Sequence, residues 1–311
     1  MHDSDASRLT SAEESRERGD GGRGRGRALA FAAMVAANVA LAFGAWFVRL
    51  ADVGPVAAGF WRLAIAAPLL LILCRAAGQP VPAMPRRLWA VLACGGFFFA
   101  ADLASWHVGI LHTTLANATL FGNITSLTFP IYGFIIARAM PGRTQIFALI
   151  LAAAGAVLLM GRSYQLSPQN LVGDLLCILA GILYTFYLVA VGAARGRLAP
   201  LPTIALSTLF GTLPLLIFAM LMGEAIRPGN WTPLLLLAIG SQVIGQGLIV
   251  YAIGHLPPLV IGIGLLIQPV VAAAVGWIAY GERLGVVDGI GAVAIAVALV
   301  LVRRPDRSRP A

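Results

Sequence analysis

Ten apolar runs, at about 28–48, 56–74, 88–110, 113–137, 145–161, 171–193, 201–222, 232–253, 258–280 and 285–302, leave this chain little polar sequence from which to build a water-soluble fold. A membrane-spanning helix needs roughly 20 apolar residues, and most of the runs have that length; the fifth is short. Each is bounded by Gly, Pro or Arg. Only His112 and its neighbours separate the third run from the fourth, and only His255-Leu256-Pro257-Pro258 the eighth from the ninth. Connections this short make neighbouring spans antiparallel. With 59% hydrophobic and 11% charged residues, the chain is far from the soluble norm of about half apolar and a quarter charged. The predicted fold class is an all-α integral membrane protein with ten transmembrane helices.

The net charge is +9, and all 22 basic residues are Arg. With a cytoplasmic N-terminus, fourteen arginines near the spans fall in inner loops and tails, and four (Arg49, Arg162, Arg227 and Arg283) fall outside. That is a positive-inside pattern. An even number of spans keeps the C-terminal cluster from Arg303 to Arg309 inside as well. The expectation is a multi-pass protein of the cytoplasmic (inner) membrane with both termini cytoplasmic. Residues 1–27 are polar and read as a disordered cytoplasmic tail; residues 304–311 read as a second tail. The run GGRGRGR at Gly21–Arg27 could serve an RNA-binding arm, but a basic membrane flank is the simpler reading, so no nucleic-acid partner is expected. The first apolar run begins near Ala28 and is long enough to stay as an anchor, unlike a cleaved signal.

Cys74, Cys94 and Cys177 lie far apart in apolar runs, which implies neither a disulfide framework nor a zinc site. No GxxxxGK[ST], HExxH or GxSxG motif is present. The chain is therefore not read as an enzyme, and no cofactor or metal is expected.

The stretch Phe97–Pro130 is apolar yet carries Asp102, Trp106, His107, His112, Asn117 and Asn123. Asp102 is the only acid inside the confidently apolar spans. An intramembrane carboxylate is costly, so it marks a protein interior or a water-filled path. At about 1.5 Å per residue, Arg62 lies about 10 Å and Asp102 about 15 Å below the outer surface. Their helices are antiparallel neighbours, so the two are expected to pair; the alternative is that Arg62 snorkels to the headgroups. Asn38, Asn123, Gln242, Gln246 and Gln268 reach similar depth, with Tyr184 and Tyr187 toward the inner half of their helix. The candidate substrate cavity is thus Asn38, Arg62, Asp102, Trp106, Asn123, Tyr184, Gln242, Gln246 and Gln268. Helix–helix hydrogen bonding, worth about 1 kcal/mol each, explains any one amide equally well. Trp61, Trp106 and Trp277 are either aromatic cavity walls or interface residues. A proton role for His107 or Asp102 is open.

Pro130 precedes Gly142 by the same interval that separates Pro269 from Gly281, at matching places in two sets of five runs. Five is odd, so the second set enters the membrane with opposite polarity. This is the plan of an inverted repeat, common among secondary transporters. Pro130 and Pro269 each remove a backbone hydrogen bond and are candidate helix bends, for gating or as static kinks.

The chain resembles the drug/metabolite transporter superfamily, in particular EamA-type carriers with two five-helix repeats. The first half carries the resemblance at Gly59-Phe60-Trp61-Arg62-Leu63, Asp102-Leu103-Ala104-Ser105-Trp106 and Thr113 through Ala118 to Pro130. The second carries it at Gly173-Asp174-Leu175-Leu176, Ser241 through Gly247, His255-Leu256-Pro257, Gln268-Pro269-Val270-Val271 and Gly281-Glu282-Arg283-Leu284. The repeats would span 28–162 and 171–303. One departure stands out: Pro141-Gly142-Arg143 lacks the acid usual in the family, leaving Thr144 as a candidate cap for the fifth helix.

The resemblance implies alternating-access transport of a small metabolite, an amino acid or related organic solute, most simply by export. Lipid and the solute are then the partners. Gly289 and Gly291 allow close helix contact, either within one chain or in a homodimer. The rival class is a non-transporting membrane scaffold or regulator, which would tolerate Asp102→Ala.

Overall fold

The computed structural model describes residues 26–113, 115–138, 140–160, 168–280 and 285–303. Most of the N-terminal tail, Arg162, the Gly281–Leu284 motif and the tail at 304–311 lie outside them, as does the side chain of Trp277. The described residues are all-α, without strands. In chain order the helices are α1 (Gly26–Val48), α2 (Pro55–Ala76), α3 (Arg86–Leu111), α4 (Leu115–Gly122 and Thr125–Ala137), α5 (Arg143–Met160), α6 (Leu171–Arg195), α7 (Pro200–Leu221), α8 (Thr232–Ile253), α9 (Pro258–Leu265 and Ile267–Tyr280) and α10 (Val286–Arg303). Eight are long and apolar enough to cross a membrane; α5 and α10 hold shorter apolar helices, Arg143–Leu159 and Val286–Val302.

Helix boundaries follow local chemistry. Pro55, Pro200 and Pro258 open α2, α7 and the first part of α9, where a missing N–H costs nothing. Gly78 (φ 65°) and Gly223 (φ 66°) close α2 and α7 in the left-handed region. The residue after each donates back to the helix, Gln79 to Cys74 at 2.8 Å and Glu224 to Ala219 at 3.1 Å, which satisfies an otherwise orphaned carbonyl. At α5 the cap differs from the sequence expectation. Thr144 sits inside the first turn, and Gln145 Oε1 accepts the Gly142 N–H at 2.9 Å, because the third helical side chain is the one that reaches back. Asp288 does the same for Gly285 at 2.6 Å at the start of α10, so the last helix of each half begins alike.

Between the halves, α2 packs on α7, α4 on α9, α5 on α10, and α3 on both α6 and α7. Glycines set the closest crossings, as membrane bundles require where packing replaces the hydrophobic effect. A Cβ at Gly155 would lie 2.8 Å from the Gly291 carbonyl, and one at Gly291 2.6 Å from the Gly155 carbonyl. Gly291 is therefore used within the chain, whereas Gly289 has open space around it. The core between the helices buries Met34, Leu63, Phe99, Tyr187, Leu215 and Ile249.

The α7–α8 connection is fastened to the start of α2. Glu224 accepts from Val56 N at 3.2 Å and Ala57 N at 2.7 Å, Gly54 N donates to the Ala225 carbonyl at 3.0 Å, and Trp61 Nε1 donates to the Ile226 carbonyl at 2.7 Å. Trp61 also meets Trp231 edge-on at 4.9 Å. A carboxylate at a helix N-terminus meets unpaired N–H groups and the positive end of the dipole.

A central cavity shared by both halves

Three interrupted helices shape the middle of the molecule. In α4 the helix breaks at Asn123–Ile124 and continues through Pro130. Asn123 Nδ2 turns back to the Thr119 carbonyl at 2.8 Å, and such side-chain bonds compete with the backbone ladder. In α9 the break is at Leu266. There Pro269 has no N–H to offer the Leu265 carbonyl, and Leu266 N bonds Ile263 at 3.1 Å. The two helices meet at these irregularities: a Cβ on Gly262 would come within 2.5 Å of Pro130 Cγ. In α8, residues Leu237–Gln246 form a wide π-helical segment bonded i to i+5. Such segments are rare and concentrate at functional sites.

A cavity of about 180 Å³ opens where these irregular segments converge, enough for several waters or a small organic solute. Arg62, Asp102, Trp106 and Asn123 line it from the first half. Tyr184, Gln246, Gln268 and Pro269 line it from the second. Tyr184 and Gln246 are hydrogen-bonded to each other, Gln246 Nε2 donating to the phenol oxygen at 3.1 Å.

Asn38 and Gln242 stand behind the wall, fully buried. Asn38 Oδ1 accepts from Gln268 Nε2 at 2.8 Å while its Nδ2 donates to the Met34 carbonyl at 2.8 Å. Gln242 Oε1 accepts from Arg62 Nε at 2.9 Å, and Gln242 Nε2 donates to Thr208 Oγ1 at 2.9 Å. These two amides hold cavity residues in place.

The expected Arg62–Asp102 pair does not form. No ion pair or hydrogen bond joins the two among the described residues. Arg62 does not snorkel either: it is 7% exposed, its guanidinium lies 5.6 Å from the centre of the Phe99 ring, and Gln242 holds its Nε. The physical reason is that the amide from α8 and the ring from α3 fix the guanidinium plane before it reaches the carboxylate. Its Nη2 is buried without a hydrogen-bond partner. Asp102 is half-buried on the same cavity wall.

Sequence reasoning missed Phe99, Thr119 and Thr208. Phe99 and Thr119 lie within the polar-in-apolar stretch, and no pattern separates their cavity-facing positions from lipid-facing ones. His107, weighed for a proton role, lines the cavity, and its Nδ1 has no hydrogen-bond partner. Of the three tryptophans, Trp106 is a wall and Trp61 belongs to the α7–α8 connection.

Asp102 is also not the only acid within the apolar helices. Asp174, in the first turn of α6, is 5% exposed. It accepts from Thr113 Oγ1 at 2.6 Å and from Asn117 Nδ2 at 3.1 Å. In the sequence it figured only in the Gly173–Leu176 motif that opens the second half. Among the described residues, no three His, Cys, Asp or Glu side chains are grouped to hold a metal.

The sequence profile of the EamA-like transporter family matches this chain twice, over residues 25–161 and 171–304. An uncharacterized transporter from the archaeon Archaeoglobus fulgidus is 24% identical over 255 residues, covering 79% of this chain and 86% of its own. A crystal structure described only as that of a protein superposes with a TM-score of 0.71 at 16% identity, over 89% of this chain and 96% of the other. That likeness concerns the fold.

Proposed function

Because the chain belongs to the EamA-like transporter family, we propose that it moves a small metabolite, an amino acid or related organic solute, across the cytoplasmic membrane by alternating access, in the direction of export. The observation that carries this reading is the central cavity, to whose largely apolar wall both halves contribute polar side chains. Secondary carriers bind at such a midplane junction of repeats.

The two family matches support a duplicated chain. Together with the odd number of helices per half and the arginine distribution, they favour repeats inserted upside down relative to each other, with both termini cytoplasmic. Two similar packings of one architecture then alternate, one open to each side. The energy source is a solute or ion gradient.

The rival is a scaffold or regulator that moves nothing. A scaffold has no use for a charged, hollow centre, since intramembrane charge is expensive. The test is metabolite profiling of cells and medium with and without the protein, followed by counterflow in proteoliposomes. The expected result is one solute class whose distribution follows the protein and exchanges in liposomes. No exchange of any solute in a whole-cell metabolite extract would overturn transport.

A further inference from the structure

The cavity holds one guanidinium and one carboxylate that do not pair with each other. Arg62 is 7% exposed, and its Nη2 has no hydrogen-bond partner. Its Nε is committed to Gln242, which is itself anchored by Thr208. The ring of Phe99 lies 5.6 Å from the guanidinium carbon. The guanidinium is thus pre-oriented in the cavity wall, with its Nε bonded and its Nη2 buried without a partner. Asp102 lines the same space.

Charge bookkeeping selects the occupant. A buried charge without a partner is strongly unfavourable. A lone cation in the cavity would satisfy Asp102 and leave Arg62 open. A lone anion would do the reverse. A neutral solute would leave both. A small zwitterion satisfies both ends, and no hydrogen bond or ion pair between the two residues has to be broken first.

We propose that this cavity is a zwitterion site in which Arg62, positioned by Gln242 and Thr208, takes the carboxylate of the solute and Asp102 takes its cationic group. This rests on the transport reading above and assigns an end of the solute to each residue. Gln242 and Thr208 act only through Arg62, as positioning residues. Carboxylate recognition by an oriented guanidinium uses paired N–H donors, and fixing it beforehand lowers the cost of binding.

The test reconstitutes the full chain in proteoliposomes and offers matched solutes: serine, ethanolamine and 3-hydroxypropanoate, then phenylalanine, phenethylamine and 3-phenylpropanoate, each read against protein-free liposomes. The expected result is transport of the amino acid about tenfold or more above both singly charged partners, the worth of one lost ion contact. Asp102→Asn shifts preference toward the carboxylates, and Arg62→Gln shifts it toward the amines. Gln242→Leu raises the KM for the amino acid about tenfold and leaves kcat nearly unchanged, whereas a general packing defect lowers kcat for every solute. Where Arg62→Gln fails to insert, Asp102→Asn alone reads the preference, because it is isosteric. Equal rates across each set, or a wild-type preference retained by Asp102→Asn, overturn the zwitterion assignment and leave transport standing. Exchange of only some other solute class from a cell extract also overturns it, and no exchange at all overturns transport itself.

Discussion

Arg62 Nε on α2 donates to Gln242 Oε1 on α8 at 2.9 Å, so a cation from the first half is held by an amide from the second. Gln242→Leu leaves that nitrogen buried and unpaired. Hydrogen bonds to charged groups are worth about 1.5–3 kcal/mol. A loss of that size is expected in thermal unfolding of detergent-purified protein, with a smaller loss for Thr208→Val.

The α5–α10 pair gives a contrast between a packed glycine and an open one. Gly155→Val places atoms where the Gly291 carbonyl sits, 2.8 Å from the first added carbon. Overpacking typically costs about 1–3 kcal/mol. Gly289→Ala meets nothing within 4 Å and is expected to leave the melting temperature unchanged or higher. Size-exclusion profiles after heating separate the two.

Glu224 caps a helix that is distant from it in sequence. Glu224→Ala removes two acceptors from the start of α2, at an expected cost of about 1–2 kcal/mol. Glu224→Gln keeps an acceptor and loses the charge, so its loss is smaller and fades as salt is raised. A salt series of melting temperatures checks this.

Asp174→Ala takes the acceptor from Thr113 and Asn117 in a buried corner. The expected destabilisation is about 2–3 kcal/mol. Asp174→Asn, which retains an oxygen for Thr113, falls between. Transport relative to folded protein stays near wild type in both, since Asp174 is not among the residues lining the cavity.

Most of this fold was legible because lipid imposes one rule: apolar runs of span length must be helices. The ten expected runs coincide with α1–α10 to within a few residues, although only eight have the length and hydropathy of spans. Seven of the nine candidate cavity residues do line the cavity. Asn38 and Gln242 stand behind it, because depth along a helix can be counted from sequence and azimuth cannot when nearly every face is apolar. The π-helical segment in α8 escaped for a related reason: an extra residue per turn changes the direction of side chains without changing composition. The Arg62–Asp102 pair failed because depth and adjacency were considered without the competing amide from α8.

The fastening of Glu224, Ala225 and Ile226 to the beginning of α2 has a mechanical corollary. Four hydrogen bonds and a tryptophan contact stitch the two halves together at that rim. If the halves rock to change access, this seam is the axle, and the doorway on that face must part somewhere else.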